Sequence, residues 1–173
     1  NHKCVEANVI LFLDFDGVLH PDEVYITRGG PKLRSDGELF MWATVLEGIL
    51  YDFPGVRIVL STSWVRQLGF AKTKKHLTVA LQTKIVGSTW HSSMAKDLSN
   101  TVWWDQATRH DQIARYVARS RVQDWVALDD DVQGWHADRL DRLVLAESSL
   151  GLSDPVTQLK LKSLLATTGG CRR

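Results

Sequence analysis

The chain contains 173 residues, about the length of one domain, so residues 1–173 are expected to form a single domain. A hydrophobic fraction of 44% and a charged fraction of 24% exclude collagen-like and disordered chains, and 21 basic against 20 acidic side chains exclude a strongly basic protein. With two cysteines, Cys4 and Cys171, and no apolar run of about 18 residues, the chain has neither a disulfide framework nor a membrane span, and a cytoplasmic location is predicted.

The first predicted strand leads directly into a pair of carboxylates. Val9–Leu13 is an uninterrupted apolar run, as expected for a strand buried on both faces of a sheet. Asp14-Phe15-Asp16-Gly17 follows it, and the glycine allows the backbone to turn sharply and to approach a ligand closely. Val24–Thr27, placed before the turn residues Gly29-Gly30-Pro31, predicts a small hairpin.

A helix and a second strand are predicted next. Ser35, with Glu38 three residues later, has the form of a capping box, and apolar residues then repeat at helical spacing as far as Leu50. Pro54-Gly55 ends this helix. Val56–Leu60 is the second predicted strand, and hydroxyl side chains follow it directly.

The rest of the chain continues to alternate between helices and strands. The basic segment 66–81 is predicted to be helical, and the tryptophan-containing segment 88–108 to be irregular. The other predicted elements are a third strand over 84–87, a helix over 109–120, a fourth strand over 125–128, a fifth over 143–145 and a last helix from Ser153-Asp154-Pro155. This order predicts an α/β fold, a three-layer Rossmann-like parallel sheet of about five strands with helices on both faces.

Polar side chains follow three of the predicted strands at their carboxyl ends. Asp14 and Asp16 follow the first strand, Ser61-Thr62-Ser63 the second and Asp129-Asp130-Asp131 the fourth. Because the carboxyl ends of parallel strands share one edge, where ligands bind, these groups are expected to converge. Converging carboxylates repel one another unless a cation compensates, and oxygen ligands favour Mg²⁺. Each segment taken alone also fits a solvated turn or a helix cap, so the argument depends on all three together.

In these residues the chain resembles the haloacid dehalogenase-like (HAD) hydrolases, most of which are phosphatases. The resemblance spans about residues 9–150 and rests on a strand followed by Asp14-Phe15-Asp16-Gly17-Val18, a strand ending in Ser61 and a strand ending in Asp129-Asp130. The sequences Leu-Ser-Thr-Ser-Trp and Leu-Asp-Asp-Asp are also similar to those of small HAD-like domains associated with nucleic-acid repair proteins.

The resemblance implies covalent catalysis on an aspartate and a bound Mg²⁺. Asp14 would be the nucleophile that forms an aspartyl-phosphate, and Asp16 would protonate the leaving oxygen and later deprotonate the attacking water. The metal would be bound by the side chains of Asp14 and Asp129 and by the backbone carbonyl of Asp16, with Asp130 nearby or bound through water.

The family pattern also assigns residues to the phosphoryl group. Ser61, with Thr62 and Gly17, would contact the phosphorylated substrate. A basic residue, usually Lys, begins the helix before the fourth strand in this family; Arg109 stands at that place here, with Lys96 as an upstream competitor. An Arg would grip phosphoryl oxygens bidentately, where a Lys acts as a point charge.

The spacing between the motifs leaves little chain for a cap domain. Residues 17–60 are largely used by the hairpin, one helix and the second strand, and 64–108 must supply a helix, a strand and a loop of the core. An open site without a large cap is therefore expected. Such a site would admit a phosphate on a large or polymeric molecule, a nucleic-acid end included.

Other residues have both a functional and a structural interpretation. The basic stretch from Arg66 to His76 fits phosphate-backbone contacts or a solvated helix face. Four tryptophans, Trp64 and Trp90 among them, fit base stacking or core packing. His20 is expected to be a surface or structural residue rather than a catalytic one.

Three other functions are compared with the phosphatase. A catalytically idle HAD-like binding module would bind Mg²⁺ or phosphate without releasing product, and a phosphotransferase would pass the phosphoryl group to an acceptor other than water. A signalling receiver domain would place its acceptor Asp at the third strand and a Lys at the fifth. Those strands end here in Gly87-Ser88 and Ala146-Glu147, so the receiver order fails.

Overall fold

A five-stranded parallel sheet organises the chain. The computed structural model describes residues 8–169, so Cys4 and Cys171 lie outside the described residues. In chain order the elements are β1 Val9–Leu13, β2 Val24–Thr27, β3 Gly30–Leu33, α1 Ala43–Tyr51, β4 Val56–Leu60, α2 Ser63–Leu68, α3 Phe70–Lys74, α4 Val79–Gln82, β5 Ile85–Ser88, α5 Leu98–Gln106, α6 Arg109–Ser120, β6 Trp125–Asp129, β7 Leu143–Leu145 and α7 Pro155–Thr168. The strands of the main sheet run in the order β5-β4-β1-β6-β7, and every pairing among them is parallel. The predicted fold class is confirmed.

Alternate residues of the central strands face two separate hydrophobic layers. Leu11 and Leu13 of β1 belong to the larger layer, which also contains buried residues of α1 and α7. Phe12 belongs to the smaller layer with Ile113 of α6, and its ring packs edge-on against Tyr116 at 5.5 Å. Both faces of the sheet are therefore covered, which is why β1 is a continuous apolar run.

The strand register brings the three polar motifs to one edge of the sheet. Leu13 of β1 lies opposite the last residue of β4 and the fourth residue of β6. The backbone N–H of Ser61 donates to the Leu13 carbonyl at 2.9 Å, and that of Asp14 donates to the Leu128 carbonyl at 3.1 Å. Asp14, Ser61 and Asp129 consequently lie side by side on three adjacent strands.

The first helix begins later than the capping-box pattern predicts. The helix α1 starts at Ala43, and Ser35 and Glu38 lie in the bent segment before it, so the predicted capping box is wrong. The reason is Phe40, whose φ of 60° interrupts helical geometry. Its ring is buried and packs edge-on against Phe15 at 5.0 Å. Tertiary packing of this ring overrides the local helix signal.

Two further segments differ from the sequence expectation. The segment predicted as one helix over 66–81 forms α2, α3 and α4, because Gly69 adopts a φ of 88° between the first two. The segment 88–108, predicted to be irregular, contains a 3-10 turn over Ser92–Lys96 and the helix α5. Asp97 caps α5 by accepting a hydrogen bond from the N–H of Ser99 at 2.9 Å, a local signal that the sequence interpretation missed.

A small hairpin occupies the position at which a cap domain would follow β1. The strands β2 and β3 pair antiparallel there. In the part of the chain that the structure describes, α1 is the remaining helix between β1 and β4, and no large cap domain is formed, as predicted. Among the helices within residues 8–169, none is both long and apolar enough to cross a membrane.

Candidate active site

Three carboxylates meet at the carboxyl edge of the sheet. Asp14 follows β1, and Asp129 and Asp130 stand at the end of β6. One ligand atom from each lies within 4.8 Å of those from the other two. Asp14 is 5% exposed and Asp129 is 1% exposed. These three residues are called the acid cluster below, and their proximity creates strong repulsion between ionised carboxylates.

Burial and repulsion between neighbouring carboxylates raise the pKa values of Asp14 and Asp129. Burial raises the pKa of Asp14 well above its ordinary value, and the charge of Asp129 raises it further. Burial also raises the pKa of Asp129, to about 6, against the opposing attraction of Arg109. Ionising such groups is costly until positive charge is supplied, so the acid cluster favours the binding of a cation.

Arg109 supplies part of that positive charge from the first turn of α6. Its Nε lies 3.2 Å from Asp129 Oδ2 and its Nη2 lies 3.6 Å from Asp14 Oδ1. Its Nη1 donates to the Ser61 carbonyl at 2.6 Å. Burial alone would lower the pKa of Arg109, but the charges of Asp14 and Asp129 raise it. A capping box at Thr108 fixes where α6 begins and thereby where this guanidinium enters the cluster.

The two candidates for the basic residue occupy different environments. The side chain of Arg109 is 18% exposed and contacts carboxylates from both β1 and β6. Lys96 is exposed at the end of the 3-10 turn over Ser92–Lys96. The structure therefore brings Arg109 to the acid cluster, and its role towards a phosphoryl group stays a prediction.

The two hydroxyl groups after β4 also differ in their surroundings. The Ser61 Oγ is buried and has no hydrogen-bond partner within residues 8–169. A buried polar atom left in this state costs about 1–3 kcal/mol unless a ligand satisfies it. The Thr62 Oγ1 accepts a hydrogen bond from the N–H of Trp64 at 3.2 Å and caps α2. Ser61 is thus the better placed to hold a ligand, and a substrate contact of Thr62 stays a prediction.

Gly17 allows the turn after β1 to lie against the acid cluster. Its φ is 76°, and a Cβ at this position would clash with the Asp130 carboxylate. The N–H of Gly17 donates to the His20 carbonyl at 2.9 Å, and Asp130 accepts a hydrogen bond from the Ser148 hydroxyl at 2.9 Å. A glycine is therefore required for this close approach, whereas its contact with a substrate stays a prediction.

Asp16 is held by two donors that the sequence interpretation did not assign to it. His20 Nε2 donates to Asp16 Oδ1 at 2.8 Å, and Trp64 Nε1 donates to the same oxygen at 2.9 Å. The Nδ1 of His20 accepts a hydrogen bond from the backbone N–H of Phe40 at 3.1 Å. This contact fixes the tautomer with the proton on Nε2. Both hydrogen bonds are therefore made to Oδ1 of Asp16, and neither is made to Oδ2.

These donors are themselves fixed by a buried cluster of aromatic rings. His20 is fully buried and Trp64 is 3% exposed. The ring of Phe40 packs edge-on against both, with centroids at 4.8 and 5.1 Å, and stacks on His76 at 5.2 Å. The four-residue spacing of Asp16 and His20 was the available sequence signal, and it becomes a contact because the chain turns at residue 17.

The residues at this edge suit a hard divalent cation beside a phosphoryl group. The acid cluster offers oxygen ligands, and the raised pKa values of Asp14 and Asp129 favour positive charge beside them. Arg109 and the unpartnered Ser61 hydroxyl offer hydrogen-bond donors to an anion on the same edge. This donor set fits Mg²⁺.

Comparison with known proteins identifies a family. A family model described as "HAD domain in Swiss Army Knife RNA repair proteins" matches residues 10–156. The matched range contains the acid cluster, Ser61, Arg109 and the two donors to Asp16. Neither a curated protein nor a solved structure gives a significant match.

Proposed function

The chain belongs to the family of HAD domains in Swiss Army Knife RNA repair proteins, and from this membership we propose that it is a Mg²⁺-dependent phosphatase acting on a phosphorylated nucleic-acid end. The observation that carries the proposal is the buried acid cluster with Arg109 between Asp14 and Asp129. Cytoplasmic localisation remains part of the proposal, on the grounds of cysteine usage.

The acid cluster is the proposed Mg²⁺ site. Asp14 and Asp129 would hold the ion through their side chains, with the backbone carbonyl of Asp16 as a further ligand and Asp130 beside them. When bound, Mg²⁺ supplies Lewis-acid stabilisation of the charge on the transferring phosphoryl group. The raised pKa values of Asp14 and Asp129, caused chiefly by burial, support this assignment, because the charge of a divalent cation offsets the cost of ionising buried carboxyl groups.

Asp14 is the proposed nucleophile. One of its carboxylate oxygens attacks phosphorus, the bond from phosphorus to the leaving oxygen breaks, and an aspartyl-phosphate forms. Arg109 lies 3.6 Å from this carboxylate and favours its ionised form. Arg109 and the Ser61 hydroxyl are placed to donate hydrogen bonds to the phosphoryl oxygens as negative charge develops there.

Asp16 is the proposed general acid and base. Protonated at Oδ2, it gives its proton to the leaving oxygen; as a carboxylate it then takes a proton from the water that hydrolyses the aspartyl-phosphate. The bonds from His20 and Trp64 to Oδ1 support this division of the two oxygens. We infer that both are positioning residues, which keep Oδ2 directed at the substrate.

The nucleic-acid end is the finer part of the proposal. The family description names RNA repair proteins. The absence of a large cap within residues 8–169 leaves the acid cluster accessible to a phosphate carried by a long chain. A phosphorylated end of an RNA strand meets both conditions, and it presents the dianionic monoester that the proposed chemistry requires.

Phosphate release from defined substrates tests the proposal. RNA oligonucleotides with a 5′-phosphate or a 3′-phosphate and a generic aryl phosphate are incubated with the protein in Mg²⁺ or in EDTA. We expect Mg²⁺-dependent release from one of the two RNA ends, with kcat/KM above that for the aryl phosphate. Mg²⁺ binding by calorimetry without any release would favour the idle binding module. Recovery of the phosphoryl group on an added alcohol in preference to water would favour a phosphotransferase.

Trp64→Phe tests the positioning of Asp16. The substitution removes the N–H that donates to Oδ1 and keeps an aromatic ring in the buried cluster. Hydrogen bonds to charged groups contribute about 1.5–3 kcal/mol, so we expect kcat/KM for an RNA end to fall at least about tenfold. An aryl phosphate has a good leaving group that needs little protonation, so its kcat/KM, which reports only the steps up to departure of the leaving group, should fall much less.

The matched control is Trp135→Phe, because the Trp135 Nε1 is buried without a hydrogen-bond partner within the described range 8–169. This variant should leave the ratio of the two kcat/KM values unchanged. Equal losses of kcat/KM on both substrates in Trp64→Phe would show that the indole contributes only to the fold and would contradict the positioning role.

A further inference from the structure

A cavity lies beside the acid cluster, on the side of the edge strand β5. Its volume is about 420 Å³, within the range of about 300–1,000 Å³ typical of small-ligand sites. It is called the α2–β5 cavity here, because its walls come from the junction of α2 with α3 and from β5 with the loop that follows. These walls include Val65, Phe70, Ser88, Trp90, His91 and Ser92.

The α2–β5 cavity opens on the same edge of the sheet as the acid cluster. Ser88 of β5 lies opposite Leu60 of β4, and the N–H of Thr89 donates to the Leu60 carbonyl at 3.0 Å. The chain that follows β5 forms part of the cavity wall, and it therefore leaves the sheet next to Ser61. Two strand spacings separate β5 from β1, which places the cavity about 10 Å from the strand of Asp14. In a single-stranded nucleic acid whose phosphorylated end lies at Asp14, the adjacent nucleotides can span this distance.

The walls of the cavity combine aromatic rings with hydroxyl groups. Phe70 is 38% exposed and offers its ring to a ligand. Trp90 is buried and held rigidly, with Trp104 edge-on at 5.1 Å and the Arg66 guanidinium 5.0 Å above its ring. The exposed Ser92 adds a hydroxyl group at the rim. Aromatic faces bind any nucleobase by stacking, and hydroxyl groups suit its polar edge.

The chain that forms these walls is strongly basic. Between Asp52 and Asp97 there is no Asp or Glu, whereas seven Lys or Arg residues are present. Because the whole chain carries a formal charge of only +1, the remaining residues carry the acidic excess. Six of the seven come after β4: Arg66, Lys72, Lys74, Lys75, Lys84 and Lys96. Arg66 forms an ion pair with Asp105 at 2.6 Å, so the charge available to a phosphate backbone is that of the lysines. This asymmetry complements the phosphodiester backbone of a nucleic acid.

We propose that the α2–β5 cavity binds a nucleobase of a single-stranded nucleic acid whose phosphorylated end occupies the acid cluster. Phe70 stacks on the base, and the lysines of α3 contact the backbone phosphates. The placement of the phosphorylated end at Asp14 rests on the proposed function, but binding of the nucleic acid to the cavity requires no catalysis. Binding and turnover can therefore be tested separately.

Phe70→Ala tests the cavity by removing the exposed ring. Binding of a fluorescent single-stranded RNA oligonucleotide is followed by anisotropy in EDTA, so that no turnover occurs. We expect Kd to rise roughly tenfold, with turnover of the aryl phosphate in Mg²⁺ unchanged. Tyr51→Ala is the matched control, because Tyr51 is an 86% exposed aromatic residue on α1, outside the cavity; it should leave Kd unchanged. Phe70→Leu keeps an apolar side chain without a stacking face and covers the case that the alanine variant misfolds.

A series of oligonucleotides with a single abasic position locates the base. At one position near the phosphorylated end, the abasic substitution should weaken wild-type binding by the same factor as Phe70→Ala, and it should have no further effect in that variant. A DNA oligonucleotide of the same sequence shows whether the sugar contributes.

Wild-type Kd in Phe70→Ala and Phe70→Leu would overturn the proposal, as would Phe70-dependent binding of a phosphopeptide that is tighter than that of the oligonucleotide. Phe70-dependent RNA binding without any phosphate release would support the cavity and refute the proposed phosphatase. Phosphate release from RNA ends that is independent of Phe70 would support the proposed phosphatase and refute the role of the cavity.

Discussion

Asp14→Asn is expected to abolish phosphate release and to leave the fold intact. The amide nearly preserves the size of the side chain but removes the charged oxygen that would attack phosphorus, so kcat should fall at least about a thousandfold on every substrate. Burial and Asp129 raise the pKa of Asp14, which means that its charge is unfavourable in the folded state without a cation. The variant should therefore be at least as stable as the wild type in EDTA, as measured by thermal unfolding.

Detection of the covalent intermediate separates the nucleophile from a metal ligand, because loss of either would abolish turnover. The protein is mixed with an aryl phosphate and Mg²⁺, quenched in acid and digested, and the peptide that contains Asp14 is examined by mass spectrometry. Asp16→Asn should accumulate phosphate on Asp14, since a good leaving group departs without an acid but hydrolysis lacks its base. Asp14→Asn should show no phosphopeptide. A phosphorylated residue elsewhere in the chain would assign the nucleophile to that residue.

The parts of the fold that follow from hydrophobic patterning could be predicted from the sequence. Strands such as Val9–Leu13 are apolar because both faces of the sheet are covered, and this signal is local. The polar residues directly after the strands then had to share one edge, because the strands are parallel. The acid cluster of Asp14, Asp129 and Asp130 follows from these two facts, without knowledge of any side-chain contact.

The parts that depend on contacts distant in sequence could not be predicted in this way. Phe40 leaves helical geometry because its ring packs on Phe15, His20 and Trp64, which are brought together only by the folded chain. Trp64 reaches Asp16 across 48 residues of sequence for the same reason. The choice between Arg109 and its upstream competitor depended on the path of residues 88–108, where the helix α5 was not recognised.

Asp129→Asn is expected to stabilise the protein in EDTA at pH 8 and to abolish its stabilisation by Mg²⁺. Burial raises the pKa of Asp129 from 3.8 to about 6 in the folded state, so the folded protein binds this proton more tightly than the unfolded chain does. The resulting stability is fully present below pH 4 and is lost as the pH rises to about 6. A shift of this size corresponds to at most about 3 kcal/mol. Because asparagine does not titrate, the Asp129→Asn variant does not lose this stability as the pH rises.

The pH dependence is measured as the difference in free energy of unfolding between Asp129→Asn and the wild type in EDTA. This difference should be near zero at pH 4, grow through pH 6 and level off above it. Asp131→Asn is the control, because this exposed carboxylate of the same loop keeps its hydrogen bond to the N–H of Gln133 as an amide. We expect Asp131→Asn to differ little from the wild type at any pH.

Mg²⁺ should reverse the order of stability at pH 8. A ligand that binds only the folded state stabilises it by RT ln(1 + [L]/Kd), which grows with the logarithm of its concentration above Kd. The wild type retains the carboxylate that the proposal assigns to the metal. The wild type should therefore gain stability with added Mg²⁺, whereas Asp129→Asn should not. A variant less stable than the wild type in EDTA at pH 8 would show that the attraction of Arg109 for Asp129 outweighs the cost of burial. Arg109 alone would then compensate the negative charge of the acid cluster, and the raised pKa values would no longer support a divalent cation.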